Sequence, residues 1–392
     1  MHRTDREALG LVELIGFAIS SSGGPLALAT IYLIQSAKVP AQLLGFVTLG
    51  GALLFLAPLS IWLGYSRKIA SSGGLYAFVQ QAMGARVAFV HGVLWSVSYL
   101  LYLPFTVTYI VYYLLPEIVF VSPTSQTVLE VGLPVFLSAT VVVGRRASVV
   151  LLAGLGVGQL ALIGALIVAL RNSAVPPSTI RSIPDAPLPI AAGLAGVSLL
   201  FVCSSLVLYL GGEARGGAKA MRVTLIASYV IVAVGATLVA FVISPRLSPQ
   251  VVNSAVPGYA LAVQTAGPLM GSVVGFGTLA SLAGLIVAEY VALTRLWDAM
   301  FHLAFTPAAV AIGVFFILAD VVSLVGPFKF YAVTVVPSLA ALFLAQLIVF
   351  LAFPFFQEKR GRWSVVGGIV VVVASAWALY GLYLALAPTP IY

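Results

Sequence analysis

The chain is 392 residues long, 61% hydrophobic and only 8% charged. A soluble domain carries about a quarter charged residues, so this composition excludes a soluble enzyme, a disulfide-stapled secreted scaffold and a disordered chain. What remains is an all-α polytopic membrane protein, with the lipid bilayer as its main partner. The formal net charge of +8 is then a matter of topology and not of nucleic-acid binding.

Apolar stretches bounded by charge, Pro or Gly predict eleven transmembrane helices. The first five are Gly10–Ser36, Gln42–Gly64, Val87–Leu115, Thr127–Val143 and Ser148–Leu170. A polar, proline-bearing loop, Arg171–Pro187, follows. The remaining six are Leu188–Leu210, Val223–Ser244, Pro268–Thr294, Pro307–Leu324, Phe328–Phe356 and Trp363–Leu386. These make one transmembrane domain: residues 10–170 as a first five-helix repeat, 188–356 as a second, and 363–386 as an extra helix. Met1–Leu9 is polar and the first apolar run outlasts a signal h-region, so no removable signal is expected. With the N-terminus inside, the cytoplasmic segments carry 14 of the 19 basic residues. The outer segments carry Lys38, Arg171, Arg181, Arg246 and Lys329. That asymmetry predicts a cytoplasmic N-terminus and an extracellular C-terminus in the cell membrane.

The first span is interrupted by Ser20-Ser21-Ser22-Gly23-Gly24-Pro25, residues that are poor helix formers and compete for backbone hydrogen bonds. The sixth carries a milder lesion at Val202-Cys203-Ser204-Ser205, just after Phe201. Interrupted helices in corresponding positions of two halves point to a transporter site. A break at mid-membrane frees about four N–H groups and four C=O groups, which hydrocarbon cannot satisfy. The N–H end after Gly24 would seat a carboxylate, and the freed carbonyls an ammonium, Na⁺ or a proton donor. Close packing of small residues is the competing explanation, and it is the one that suits Gly154-Leu155-Gly156-Val157-Gly158 in the fifth span.

Several motifs resemble the amino acid–polyamine–organocation (APC) superfamily, from Leu14 to about Arg362. The most specific is Ser71-Ser72-Gly73-Gly74-Leu75-Tyr76-Ala77-Phe78, followed by Gly84 and His91-Gly92-Val93-Leu94-Trp95. Glu213-Ala214-Arg215 through Lys219 and Arg222 is similar to the acidic-then-basic segment after the family's sixth helix. Thr294-Arg295-Leu296-Trp297-Asp298-Ala299-Met300 resembles the end of its eighth. The sequence departs from the family at Gly16-Phe17-Ala18, at Gly216-Gly217 and in lacking a twelfth span. The resemblance implies a LeuT-type fold of two inverted five-helix repeats with broken first and sixth helices. It also places Glu289 of the eighth helix near the broken first helix and the cation site of sodium-coupled relatives.

An ionisable residue inside a membrane is a functional candidate by default. Glu13, Glu117, Glu130, Glu213 and Asp298 fall near span ends, where solvation or pairing is expected. Glu289 and Asp320 remain. Glu289 could bind Na⁺ or carry a coupled proton; the competing role is a structural pairing with Arg295 or a hydroxyl. Asp320 is expected to be structural. Tyr99 and Tyr102 could line the site or simply pack. His91 and His302 lie toward the cytoplasmic face.

No metal-ligand spacing, Walker A sequence, HExxH motif or serine elbow is present. Neither a cofactor nor an enzymatic activity is therefore expected. The expected function is secondary active transport of a small-molecule substrate, an amino acid or related organic amine. Substrate would be held by Ser20, Ser21, Ser22, Gly23, Gly24, Phe201, Val202, Cys203, Ser204, Ser205 and Tyr99, with a proton or Na⁺, or a second solute in exchange, coupled through Glu289. The alternative is a passive channel or a substrate-sensing receptor on the same scaffold.

Overall fold

The computed structural model describes residues 8–22, 39–171, 187–254, 256–358 and 364–387. Among these the chain is almost wholly helical, its one strand-like feature being a parallel bridge between Leu9 and Ala214. Helix α1 (Leu11–Ser21) is followed by α2 (Leu44–Ser66), a short α3 (Gly74–Met83) and α4 (Ala85–Tyr109). Next come α5 (Pro123–Val143), α6 (Arg145–Arg171), α7 (Pro187–Leu200) and α8 (Gly217–Ile243). A second short helix, α9 (Pro257–Ala266), precedes α10 (Pro268–Phe301). The last three are α11 (Phe305–Ser323), α12 (Pro327–Glu358) and α13 (Val365–Leu386).

Ten helical stretches among the described residues are long and apolar enough to cross a bilayer, and they coincide with the second to eleventh spans of the sequence. The first span is represented by α1 alone. At 1.5 Å per residue the 34-residue α10 is about 51 Å long, more than the hydrocarbon core requires. This is a multi-pass membrane protein.

The two short helices occupy equivalent places, one before the third span and one before the eighth. Each ends at a glycine that also starts the following span, Gly84 at φ 90°, ψ 176° and Gly267 at φ 87°, ψ 173°. A Cβ at either would meet nothing within 4 Å, so the backbone conformation alone demands glycine there.

Side chains bonded to main-chain carbonyls of other helices tie the bundle together. Ser198 Oγ donates to Gly51 O at 2.7 Å, Tyr229 OH to Ala52 O at 2.5 Å, and Ser338 Oγ to Ser98 O at 2.8 Å. Close approach of α1 and α6 depends on small residues: a Cβ on Gly156 would lie 2.6 Å from Gly16 O. Gly154 and Gly158, by contrast, face open space, so only the central glycine of that run packs against the described structure.

The loops that join α2 to α3, α5 to α6, the sixth span to α8, and α10 to α11 share one end of the bundle. That end carries Arg67, Lys68, Arg86, Arg145, Arg146, Arg215, Lys219, Arg222 and Arg295. Here Leu9 N donates to Glu213 O and Arg215 N to Leu9 O, each at 2.9 Å. Glu213 pairs with Arg145 at 2.7 Å and with Arg295, which also reaches Asp298 at 3.3 Å. Four separate elements are thus fastened at the basic end.

Candidate functional site

The sixth span changes character where the sequence placed its lesion, but over a longer stretch. After Phe201 the chain leaves the α-helix and runs as a 3₁₀ helix from Val202 to Glu213. A 3₁₀ run beyond three or four residues is uncommon and mid-span marks a hinge or strain. Its far end lies against Ser71-Ser72-Gly73-Gly74. A Cβ on Gly211 would sit 2.9 Å from Ser71 N, and one on Gly74 (φ +50°) would sit 2.7 Å from the ring of Tyr209. The glycine pairs therefore let the connection between the second and third spans press onto the sixth.

The first span stops being helical at Ser21, with Ser22 in a turn. Gly23, Gly24 and the second half-helix lie outside the described residues. Ser20, Ser21 and Ser22 are all fully buried. Ser21 Oγ and Ser22 Oγ both turn back to Ala18 O, at 3.1 and 2.7 Å. Ser20 Oγ has no hydrogen-bond partner among the described residues and faces Gly284 of α10, where a Cβ would lie 3.0 Å away.

Glu289, one and a half turns further along α10, is completely buried. Cys203 of the 3₁₀ segment donates its thiol to Glu289 Oε1 at 3.6 Å. Glu289 Oε2 has no partner among the described residues. The alternative pairing with Arg295 is not what forms, because that guanidinium lies a further turn and a half along, against Glu213 and Asp298. Tyr99 and Tyr102 come within electrostatic reach of both Glu289 and Cys203. The Tyr99 ring packs edge-on against Trp95 at 5.2 Å.

The remaining members of the sixth-span set divide by role. Phe201 packs with Phe55 and Tyr229, each 5.5 Å between ring centres, and Ser204 Oγ bonds Phe201 O at 2.6 Å. Val202 is buried. Ser205 Oγ has no partner among the described residues. Cys203 alone of the segment Phe201–Leu210 keeps partial exposure while its neighbours are buried.

Two residues that sequence reasoning passed over belong to this region. Tyr209 is buried, its hydroxyl has no partner among the described residues, and its ring lies 6.5 Å from Trp95 and within electrostatic reach of Tyr99. Its signal was its spacing, one turn beyond Ser205 in a run with few polar atoms. Gln159 of α6 is 3% exposed and neither amide atom has a partner among the described residues. It follows Gly156 by three residues, on the helix face turned to α1, and is the lone polar side chain between Ser148 and Arg171.

The other charges mostly sit where expected. Glu13 caps its own helix by accepting from Gly10 N at 2.6 Å, and Glu117 accepts from Ser254 Oγ at 3.2 Å. Glu130 departs from expectation. It is fully buried and bonded to the hydroxyls of Thr108 and Ser323, because α4 and α11 cover it where counting residues from the helix start suggested water. His91 is buried and stacked on Trp95 at 5.8 Å. No group of three or more His, Cys, Asp or Glu side chains gathers among the described residues.

The fold that carries this site is of the LeuT type, as its likeness to solved structures shows. The structure matches MhsT in complex with L-phenylalanine over 95% of this chain and 97% of that one, at TM-score 0.63 and 16% identity. It matches Mhp1, a nucleobase-cation-symport-1 family transporter with bromovinylhydantoin bound, over 99% and 95%, at TM-score 0.62 and 12% identity. A Na⁺-coupled sialic acid symporter in a substrate-bound outward-open state matches over 97% and 95%, at TM-score 0.56 and 12% identity. No protein-family model and no curated protein sequence matches the chain.

Proposed function

We propose that this chain is a secondary active transporter of an amino acid or related organic amine, not an enzyme, and that it works by alternating access in the manner of the APC superfamily. Residues 10–170 and 188–356 act as inverted repeats and 363–386 is an added helix. The N-terminus is cytoplasmic and the C-terminus extracellular. The observation that carries this reading is the contact between Glu289 and Cys203, which joins the membrane-buried carboxylate of the eighth span to the altered stretch of the sixth. Atoms of Ser20, Ser205, Tyr99 and Tyr209 that have no hydrogen-bond partner among the described residues support it, as does a fold shared with transporters of three different solutes. In this reading the amides around Ser22–Gly24 hold the substrate carboxylate, and Tyr99 and Cys203 line its path.

Coupling is assigned to Glu289, with a proton as the favoured ion. The fifth span has no Lys to supply a fixed positive charge, so protonation is the simplest way to neutralise the carboxylate during the return step. The test uses purified full-length protein in proteoliposomes. Gradient-driven accumulation of a radiolabelled amino acid and its pH dependence are expected in the wild type and lost in Glu289→Gln, while counterflow exchange survives. Wild-type accumulation by Glu289→Gln overturns the coupling role. Ionic current without counterflow would identify a channel instead.

A further inference from the structure

Away from the first and sixth spans, a second pair of carboxyl groups is buried where α4, α5 and α11 meet. Glu130 and Asp320 are each 0% exposed and lie within electrostatic reach of one another. Glu130 Oε1 accepts from Thr108 Oγ1 at 2.6 Å and from Ser323 Oγ at 2.5 Å. Glu130 Oε2 and both carboxyl oxygens of Asp320 have no hydrogen-bond partner among the described residues. Two residues beyond Thr108 the third span opens into a π-helical turn, Ile110–Leu114, a distortion found frequently at functional sites.

Among the described residues no basic side chain appears as a hydrogen-bond or ion-pair partner of either carboxyl. From the π-helical turn that follows α4 the titratable group facing them is Tyr112, within electrostatic reach of Glu130. Beyond α4 the chain places Glu117 against Ser254. Arg171 at the end of α6 and Lys329 at the start of α12 are exposed. Two ionised carboxylates at this depth, with no cation beside them, would be prohibitively costly. Carboxyl groups buried in this way resolve the conflict by taking up a proton.

The hydroxyls are arranged for that exchange. Each carries a single hydrogen, yet each has two acceptors in reach. Thr108 Oγ1 lies 3.2 Å from Pro104 O as well as beside Glu130, and Ser323 Oγ lies 2.8 Å from Asp320 O. With Glu130 ionised, both hydroxyls donate to it. With a proton on Glu130, the acid donates to one hydroxyl, whose own hydrogen turns to the carbonyl of its helix. Either state satisfies Glu130 Oε1 and the two hydroxyls without moving a heavy atom.

We propose that Glu130 and Asp320 form a proton-binding site, separate from Glu289, in which the buried carboxyl groups take up protons. The assignment does not depend on what the protein transports. Infrared difference spectroscopy of the full chain in lipid at neutral pH tests it. The wild type should show a protonated-carboxyl C=O band that disappears in the double variant Glu130→Gln, Asp320→Asn and persists in Glu289→Gln. Thr108→Val and Ser323→Ala keep both carboxyls and should shift that band without removing it, which keeps the test decisive if the double variant fails to fold. Absence of the band from the wild type overturns the proposal, as does a band indifferent to all of these substitutions. Loss of the band on adding Na⁺ at constant pH would also overturn it, by making the site one for a metal cation.

Discussion

Glu213 and Glu289 are both buried carboxylates, one at the last position of the 3₁₀ stretch of the sixth span and the other pressed against its beginning. The protein treats them in opposite ways. Glu213 faces two guanidinium groups, Arg145 and Arg295, and its charge is permanently balanced. Among the described residues Glu289 receives only the thiol of Cys203, a weak donor. A fixed counter-charge makes a fastening, whereas a carboxylate that receives a thiol alone among the described residues suits the exchangeable partner proposed above. On that proposal, the difference separates a structural end of the sixth span from a working middle.

The sharpest way to break this contrast is to neutralise each carboxylate in turn. Glu213→Gln leaves Arg295, whose side chain is 3% exposed, buried without its main counter-charge. Removing one partner of a buried pair costs about 3–5 kcal/mol, so the melting temperature of the purified protein should fall steeply. Glu289→Gln removes no ion pair among the described residues and should cost less than about 1 kcal/mol. Equal losses from the two would mean that Glu289 is held by structural contacts as Glu213 is.

The spans were legible from sequence because a backbone in lipid must satisfy itself internally, and long apolar runs are its plainest trace. The lesion at Val202–Ser205 was legible as well, since a Ser pair in an apolar helix is conspicuous. Its continuation to Glu213 was not. Leu206-Val207-Leu208-Tyr209-Leu210 is ordinary helix-compatible sequence, and its tighter winding accompanies packing of Gly211 and Gly212 against Ser71 and Ser72. Burial of Glu130 escaped for a similar reason: the covering residues Thr108 and Ser323 lie 22 and 193 positions away in the chain. Cys203 and Glu289 were each conspicuous alone, but their contact spans 86 positions, and one sequence carries no record of such a pairing.

A smaller effect extends the comparison to the two halves. Gly84 and Gly267 adopt nearly the same positive-φ conformation at equivalent junctions, and neither has a neighbour for an added Cβ. Alanine at either should therefore cost only backbone strain, about 1–3 kcal/mol, and the two losses should agree. Differential scanning of Gly84→Ala and Gly267→Ala would measure both. A loss at one junction alone would show that the repeated geometry is coincidental to stability.

The smallest effect is a change in rate and not in stability, and it bears on whether the middle of the sixth span faces a cavity. Cys203 is the single thiol of the chain, so labelling needs no engineered background. It retains partial exposure between buried neighbours, which a residue serving only to pack would not require. A small hydrophilic thiol reagent should therefore modify it in at least one conformation. A substrate seated against the same segment should slow that reaction severalfold, because the ligand-bound state withdraws molecules from the reactive population. Glu289→Gln should alter the rate too, since the thiol then loses the carboxylate to which it donates. Mass spectrometry of the intact protein reads all three rates. A thiol inert in folded, transport-active protein would place Cys203 in the packed core, and Glu289 would then have to meet its partner from another side.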